Sequence, residues 1–114
     1  MWVYLAGYDQ WVRKPDAPAK LGWVASAWDG SREVLYLFGG STIAGGNETV
    51  RDELWAYSWT DNLWTNLGPG PSPRKGAAAA WDQPNGRLLL FGGERNGSCQ
   101  PGLWSYSPQE RSWR

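Results

Sequence analysis

Apolar residues in this chain come in short runs, each cut off by Gly, Pro, Asn or Asp: VASAW (24–28), VLYLF (34–38), ELWAYS (53–58), AAAAW (77–81), LLLF (88–91) and GLWSYS (102–107). No helical periodicity of useful length runs through them, so the pattern predicts strands and tight connections. KGAAAAW (75–81) has the alanine content of a helix, yet its counterpart GWVASAW (22–28) carries Val and Trp and ends in the same Trp-Asp turn; both are read as strands. VLYLF and LLLF are apolar at nearly every position, which predicts strands covered on both faces. Each runs into a glycine pair, Gly39-Gly40 and Gly92-Gly93. Without a Cβ, such pairs let the backbone leave in conformations closed to other residues or let a neighbouring chain come close.

The runs repeat. MWVYLAGYDQW (1–11), LWAYSWTDNLW (54–64) and LWSYSPQERSW (103–113) align without gaps, and AWDGSREVLYLFGG (27–40) answers AWDQPNGRLLLFGG (80–93). Trp2 to Trp55 is 53 positions and Trp55 to Trp104 is 49; the missing four fall between the glycine pair and the next Leu-Trp. A repeat that keeps its strands and varies one connection places that connection at the surface. Each unit resolves into four strands, a to d, with strand d beginning at Trp64 or Trp113. Asp29-Gly30 and Asn85-Gly86, between a and b, predict hairpin turns with positive φ.

Charge narrows the range of partners. Eleven basic and eleven acidic residues are scattered along 114 positions, which supplies no basic stripe for nucleic acid. No apolar stretch approaches the length of a membrane span, and no membrane partner is expected. Histidine is absent, removing the commonest general base and the commonest zinc or copper ligand. No enzyme, metal or cofactor is expected from these residues. The lone Cys99 forms no intrachain disulfide and favours a reducing compartment.

Ten Trp, five Tyr and two Phe are the compositional surprise. Eight of the tryptophans recur at matched positions (Trp2, Trp55, Trp104; Trp11, Trp64, Trp113; Trp28, Trp81), so these eight are expected in the core. Trp23 and Trp59 have no counterpart, and Trp59, in the turn from c to d, is the better candidate for an exposed contact. Four-stranded antiparallel units stacked face to face around an axis make a β-propeller, with alanine-rich strand a innermost and Trp and Tyr in the outer wedges.

The chain also resembles the kelch-repeat, galactose oxidase-like β-propeller family. The likeness rests on the double glycines, on Tyr57 and Trp64 with Tyr106 and Trp113, and on the PSPRKG entry at 71–76. It departs from that pattern at Ala77 and Trp23, where many such units carry histidine, and at Lys20 and Leu21, near the place of the arginine that Arg74 fills in the second unit. The resemblance implies an all-β fold of four-stranded antiparallel kelch-type blades. These are a partial blade over 1–20 (strands c and d), a blade over 21–70, and a blade with a short last strand over 71–114. Propellers close with about four to eight blades, so the ring is incomplete and is expected to be completed by further repeats of a longer chain or by self-association.

Such propellers bind partners through the connections from b to c, here STIAGGNETVRDE (41–53) and ERNGSCQP (94–101). The candidate partner-binding residues are therefore Asn47, Glu48, Arg51, Asp52, Glu94, Arg95 and Asn96, with Trp59 added from its turn. Asn47-Glu-Thr and Asn96-Gly-Ser are glycosylation sequons in the same connections. The expected function is a non-catalytic protein–protein interaction module. One alternative is a scaffold piece of a galactose oxidase-like carbohydrate-active oxidoreductase with its catalytic residues outside this chain; another is sugar binding through Trp59 or Trp23.

Overall fold

The computed structural model describes residues 1–114, and the chain is all-β with antiparallel pairing throughout. The strands are β1 (Trp2–Leu5), β2 (Gln10–Arg13), β3 (Ala25–Asp29), β4 (Val34–Phe38), β5 (Ser41–Ala44), β6 (Asn47–Val50) and β7 (Glu53–Ser58). There follow β8 (Leu63–Pro69), β9 (Ala78–Asp82), β10 (Arg87–Phe91), β11 (Glu94–Arg95), β12 (Ser98–Cys99), β13 (Leu103–Ser107) and β14 (Ser112–Trp113). A single 3-10 turn lies at Ala6–Tyr8. Two four-stranded sheets, β3-β4-β7-β8 and β9-β10-β13-β14, share one up-and-down order; β1-β2, β5-β6 and β11-β12 are two-stranded hairpins. KGAAAAW is not helical: its Ala78–Trp81 form strand within β9, which pairs with β10.

One turn design serves five hairpins. Leu5 pairs Gln10, Asp29 pairs Val34, Ser58 pairs Leu63, Asp82 pairs Arg87 and Ser107 pairs Ser112, so each connection has four residues. Its last residue is left-handed every time: Asp9, Glu33, Asn62, Gly86 and Arg111. The positive φ predicted for Asp29-Gly30 therefore falls at Glu33 instead, and of Asn85-Gly86 only the glycine adopts it. Asp29 works by accepting hydrogen bonds from Ser31 N (3.0 Å), Ser31 Oγ (2.7 Å) and Arg32 N (3.3 Å). The Asp side chain folds the turn back on itself, the role its short polar side chain suits.

The core lies between the two large sheets, which come closest where alanine strands β3 and β9 meet. Ala25, Ala27, Tyr36, Phe38 and Leu54 of the first sheet bury against Leu88, Leu90 and Tyr106 of the second. Tyr36 stacks on Trp81 at 5.4 Å between centroids and 9° between planes, and Phe38 and Trp113 meet in a T-shaped contact at 5.3 Å. Burial raises the Tyr36 hydroxyl to about 12, with Asp29 adding to it. Three copies of one cross-strand pair brace the outer strands: Tyr4 with Trp11, Tyr57 with Trp64 and Tyr106 with Trp113, at 5.3, 5.1 and 5.2 Å.

Close approach explains Gly39, Gly40 and Gly93, and positive φ alone explains Gly92. Gly39 and Gly40 have φ of +64° and +82°; a Cβ on Gly39 would strike the Arg74 carbonyl, and one on Gly40 would lie 2.7 Å from the Gly22 carbonyl. The strand entry at 71–76 runs through this gap, with Gly40 N donating to Arg74 O at 2.9 Å. None of the eight matched tryptophans is fully buried: Trp55, Trp64, Trp81, Trp104 and Trp113 are half-buried. Trp2, Trp11 and Trp28 are exposed, Trp28 because β1 covers its face only in part. No ring is closed.

Candidate interaction face

The two connections from b to c are not irregular loops. Each folds as a hairpin at the same end of its sheet: β5-β6 turns at Gly45-Gly46 and β11-β12 at Asn96-Gly97, all four residues with positive φ. That is the geometry of a two-residue primed turn, for which Asn-Gly and Gly-Gly are the preferred pairs. Asn96 is thus occupied in shaping the turn. Asn47 and Glu48 lie on β6, Glu94 and Arg95 on β11, and Arg51 and Asp52 on the return toward β7.

Lys75 joins the hairpins. Its ammonium lies 2.8 Å from Glu48 Oε1 and 3.5 Å from Glu94 Oε1. The hydrogen bond from Lys75 holds the Glu48 carboxyl below its usual range, and the same bond raises Lys75. Arg51 pairs with Glu53, which lowers Glu53 and raises Arg51. Gly70 N donates to the Asp52 carbonyl at 2.7 Å. Beneath them the buried Arg74 donates to Gly92 O (3.0 Å) and Ser72 Oγ (2.7 Å), with burial lowering its pKa. Sequence reasoning gathered most of these hairpin residues but not Lys75, whose role depends on two carboxylates meeting across the sheets.

Trp23 stands at this end as well. Its φ is +55°, at the position where the second repeat has Gly76 with φ +65°, and its side chain is 75% exposed. A bulky residue in the left-handed region is strained. Its carbonyl accepts from Gly76 N at 2.8 Å, and its ring flanks an open groove shared with Lys75, Gly76, Gly93 and Glu94. Trp59 is elsewhere: it lies at the opposite end of its sheet, half-buried, with the Lys14 ammonium 4.2 Å above its ring. The order of the two unmatched tryptophans is therefore reversed, and Trp23 is the exposed one. The signal for it was present in the alignment of Trp23 with a glycine. No three His, Cys, Asp or Glu residues are grouped to hold a metal ion, and Cys99 is exposed.

No family model matches the chain. Among curated proteins it is 34% identical over 95 residues to Multiple epidermal growth factor-like domains protein 8 of Homo sapiens, and 33% identical over 95 residues to the proteins of that name in Mus musculus and Rattus norvegicus. Each alignment takes in 75% of this chain and 3% of the relative, so the chain spans a small fraction of the relatives it matches. These findings correct the family assignment drawn from the double glycines. The relatives bear another name, no family model supports a kelch repeat, and the sheets close no ring; the kelch-repeat and galactose oxidase-like labels are withdrawn, together with the oxidoreductase scaffold that depended on them. The motif misled for a physical reason. Gly-Gly after an apolar strand and Tyr–Trp across a hairpin answer local needs of turn and packing, which any stacked antiparallel meander shares. One cysteine, moreover, builds no disulfide framework of the kind small growth-factor-like modules need.

Proposed function

We propose that the chain is a non-catalytic protein-interaction module that engages a partner protein through its hairpin end. In this reading the two four-stranded sheets and the hairpin β1-β2 are blade-like wedges of an open, propeller-type stack, which holds β5-β6, β11-β12 and Trp23 in one rigid arrangement. The observation that carries it is Trp23, an exposed indole kept in a strained backbone conformation where the equivalent residue is glycine. Strain held at an exposed aromatic is what a contact anchor requires and what folding alone would remove. Glu48, Lys75 and Glu94 flank it with paired charge of both signs, suited to orienting a partner.

The test is Trp23→Gly beside a chain in which 41–52 is replaced by a short glycine linker. Trp23→Gly should raise Tm by a few degrees, since relief of a left-handed non-glycine residue is worth about 1 kcal/mol. Both variants should lose, in affinity capture, the same proteins that the unaltered chain and a Gln109→Ala control retain. Retention of every captured protein by both variants would sink the reading. Indole quenching by a glycan panel, lost in Trp23→Gly, would instead place a sugar on the same ring.

A further inference from the structure

A second surface, away from the hairpin end, is defined by the repeat itself. An apolar pocket of about 340 Å³ lies between β1 and the outer face of the first large sheet, lined by Met1, Val3, Trp28, Leu35, Tyr57 and Trp59, with Glu33 at its rim. Carried along the repeat, Met1, Val3, Trp28, Leu35 and Tyr57 correspond to Leu54, Ala56, Trp81, Leu88 and Tyr106. Those five all belong to the core or pack directly on it. The pocket is one copy of the interface between the two large sheets with half of it missing.

The intact interface shows what the missing half is. Trp81, Leu88 and Tyr106 are covered by β3 and β4, through Ala25, Ala27, Tyr36 and Phe38. Their counterparts are less covered except for Tyr57, which is already buried: Trp28 is 46% exposed, and Leu35 and Leu37 are half-buried where Leu88 and Leu90 are fully buried. The backbone is unfilled too. In the first large sheet β4 pairs with β7, setting Leu35 against Tyr57, Tyr36 against Ala56, Leu37 against Trp55 and Phe38 against Leu54. The equivalent edge of β1, from Met1 to Tyr4, has no strand beside it, since β1 pairs with β2 alone. An open edge above an apolar pocket is the arrangement that takes up an added strand.

We infer that this pocket and the Met1–Tyr4 edge form an acceptor for one antiparallel β-hairpin of the repeat's own pattern. Its first strand carries small residues at alternate positions, to pass close to β3, and its second carries aromatic residues at alternate positions, to fill the pocket. Paired in the register of β4 on β7, the second strand places its two rings opposite Met1 and Val3 and lays them over Trp28 and Leu35. The site is independent of Trp23 and of the hairpin end.

The probe is a peptide of residues 24–40 titrated into the whole chain, followed by NMR. Resonances of the Trp28 indole and Leu35 methyls should shift, with saturation at micromolar to sub-millimolar peptide; a peptide carrying Tyr36→Ser and Phe38→Ser should leave them in place. Isolated hairpins are marginally stable, so a second form of the test joins an extra copy of 24–53 directly ahead of Met1, restoring the spacing of the repeat. The joined chain should melt roughly 5 °C or more higher, and Leu35→Lys in the original sheet should abolish the gain. Absence of both the shift and the gain would overturn the inference, as would a gain that survives Leu35→Lys or shifts confined to the hairpin end.

Discussion

Gly39 and Gly92 are the same residue of the repeat, and their neighbours make them unequal. Both have positive φ, but a Cβ on Gly39 would collide with the Arg74 carbonyl, whereas nothing lies within 4 Å of the place a Cβ would take on Gly92. Gly92→Ala should therefore cost about 1 kcal/mol, the conformational term alone. Gly39→Ala should cost at least twice that and displace 71–76; similar urea midpoints for the two variants would contradict this account. A converse difference appears at the left-handed turn residues. Asp9 and Asn62 accept from the tyrosine five positions earlier, Tyr4 at 2.5 Å and Tyr57 in the same way. Arg111, which follows Tyr106 at the same spacing, is a cation and has no oxygen to offer. Arg111→Asn should supply the acceptor and a residue more tolerant of positive φ, for a gain of about 1 kcal/mol. A lower Tm in that variant would count against the shared turn design.

Among the elements, the hairpin β3-β4 depends on a charge. The Asp29 side chain is fully buried. Burial pushes its carboxyl up, but the hydrogen bonds from Ser31 and Arg32 together outweigh it and hold the group below the usual value. The sign follows directly: an acid whose pKa is lower folded than unfolded stabilises the fold above about pH 4, the unfolded value, and loses that contribution as pH falls through the folded one. Tm should drop with acid below about pH 4, and Asp29→Asn should flatten that dependence. Asp29→Ala, which strands the two backbone donors, should cost about 1–3 kcal/mol. Much at this level was legible in advance. Short apolar runs, the repeat and turn residues located both large sheets, because strand and hairpin preferences act within a few residues of chain. The β5-β6 and β11-β12 hairpins were missed as strands because STIA and NETV are too polar to stand out, and they are short pairs needing only a primed turn. The bridge from Lys75 to Glu48 and Glu94 spans 27 and 19 positions and left no local mark. Lys75→Gln should loosen the two hairpins against each other, seen as faster amide exchange on β6 and β11, with little change in Tm since the pair is partly exposed and salt-screened.

Across the molecule, position within the stack overrides residue type. Phe38 and Phe91 end the same strand of the repeat, yet Phe38 is 1% exposed and Phe91 61%. Phe38→Ala should cost about 3–5 kcal/mol, the range for a buried ring, and Phe91→Ala less than 1; equal losses would mean that the second sheet is covered in solution. Leu54 and Leu103 divide in the same way, buried in one sheet and exposed in the other. The same contrast bounds what could be read from the chain alone. Strand, turn and repeat follow from short-range rules, since short apolar runs, Asp at a turn entry and glycine at positive φ work wherever the segment sits. Which copy of a matched side chain lies inside, which tryptophan stands free and whether the stack closes all depend on neighbours distant in the chain and on another sheet, and identical motifs carry no information about what lies beside them.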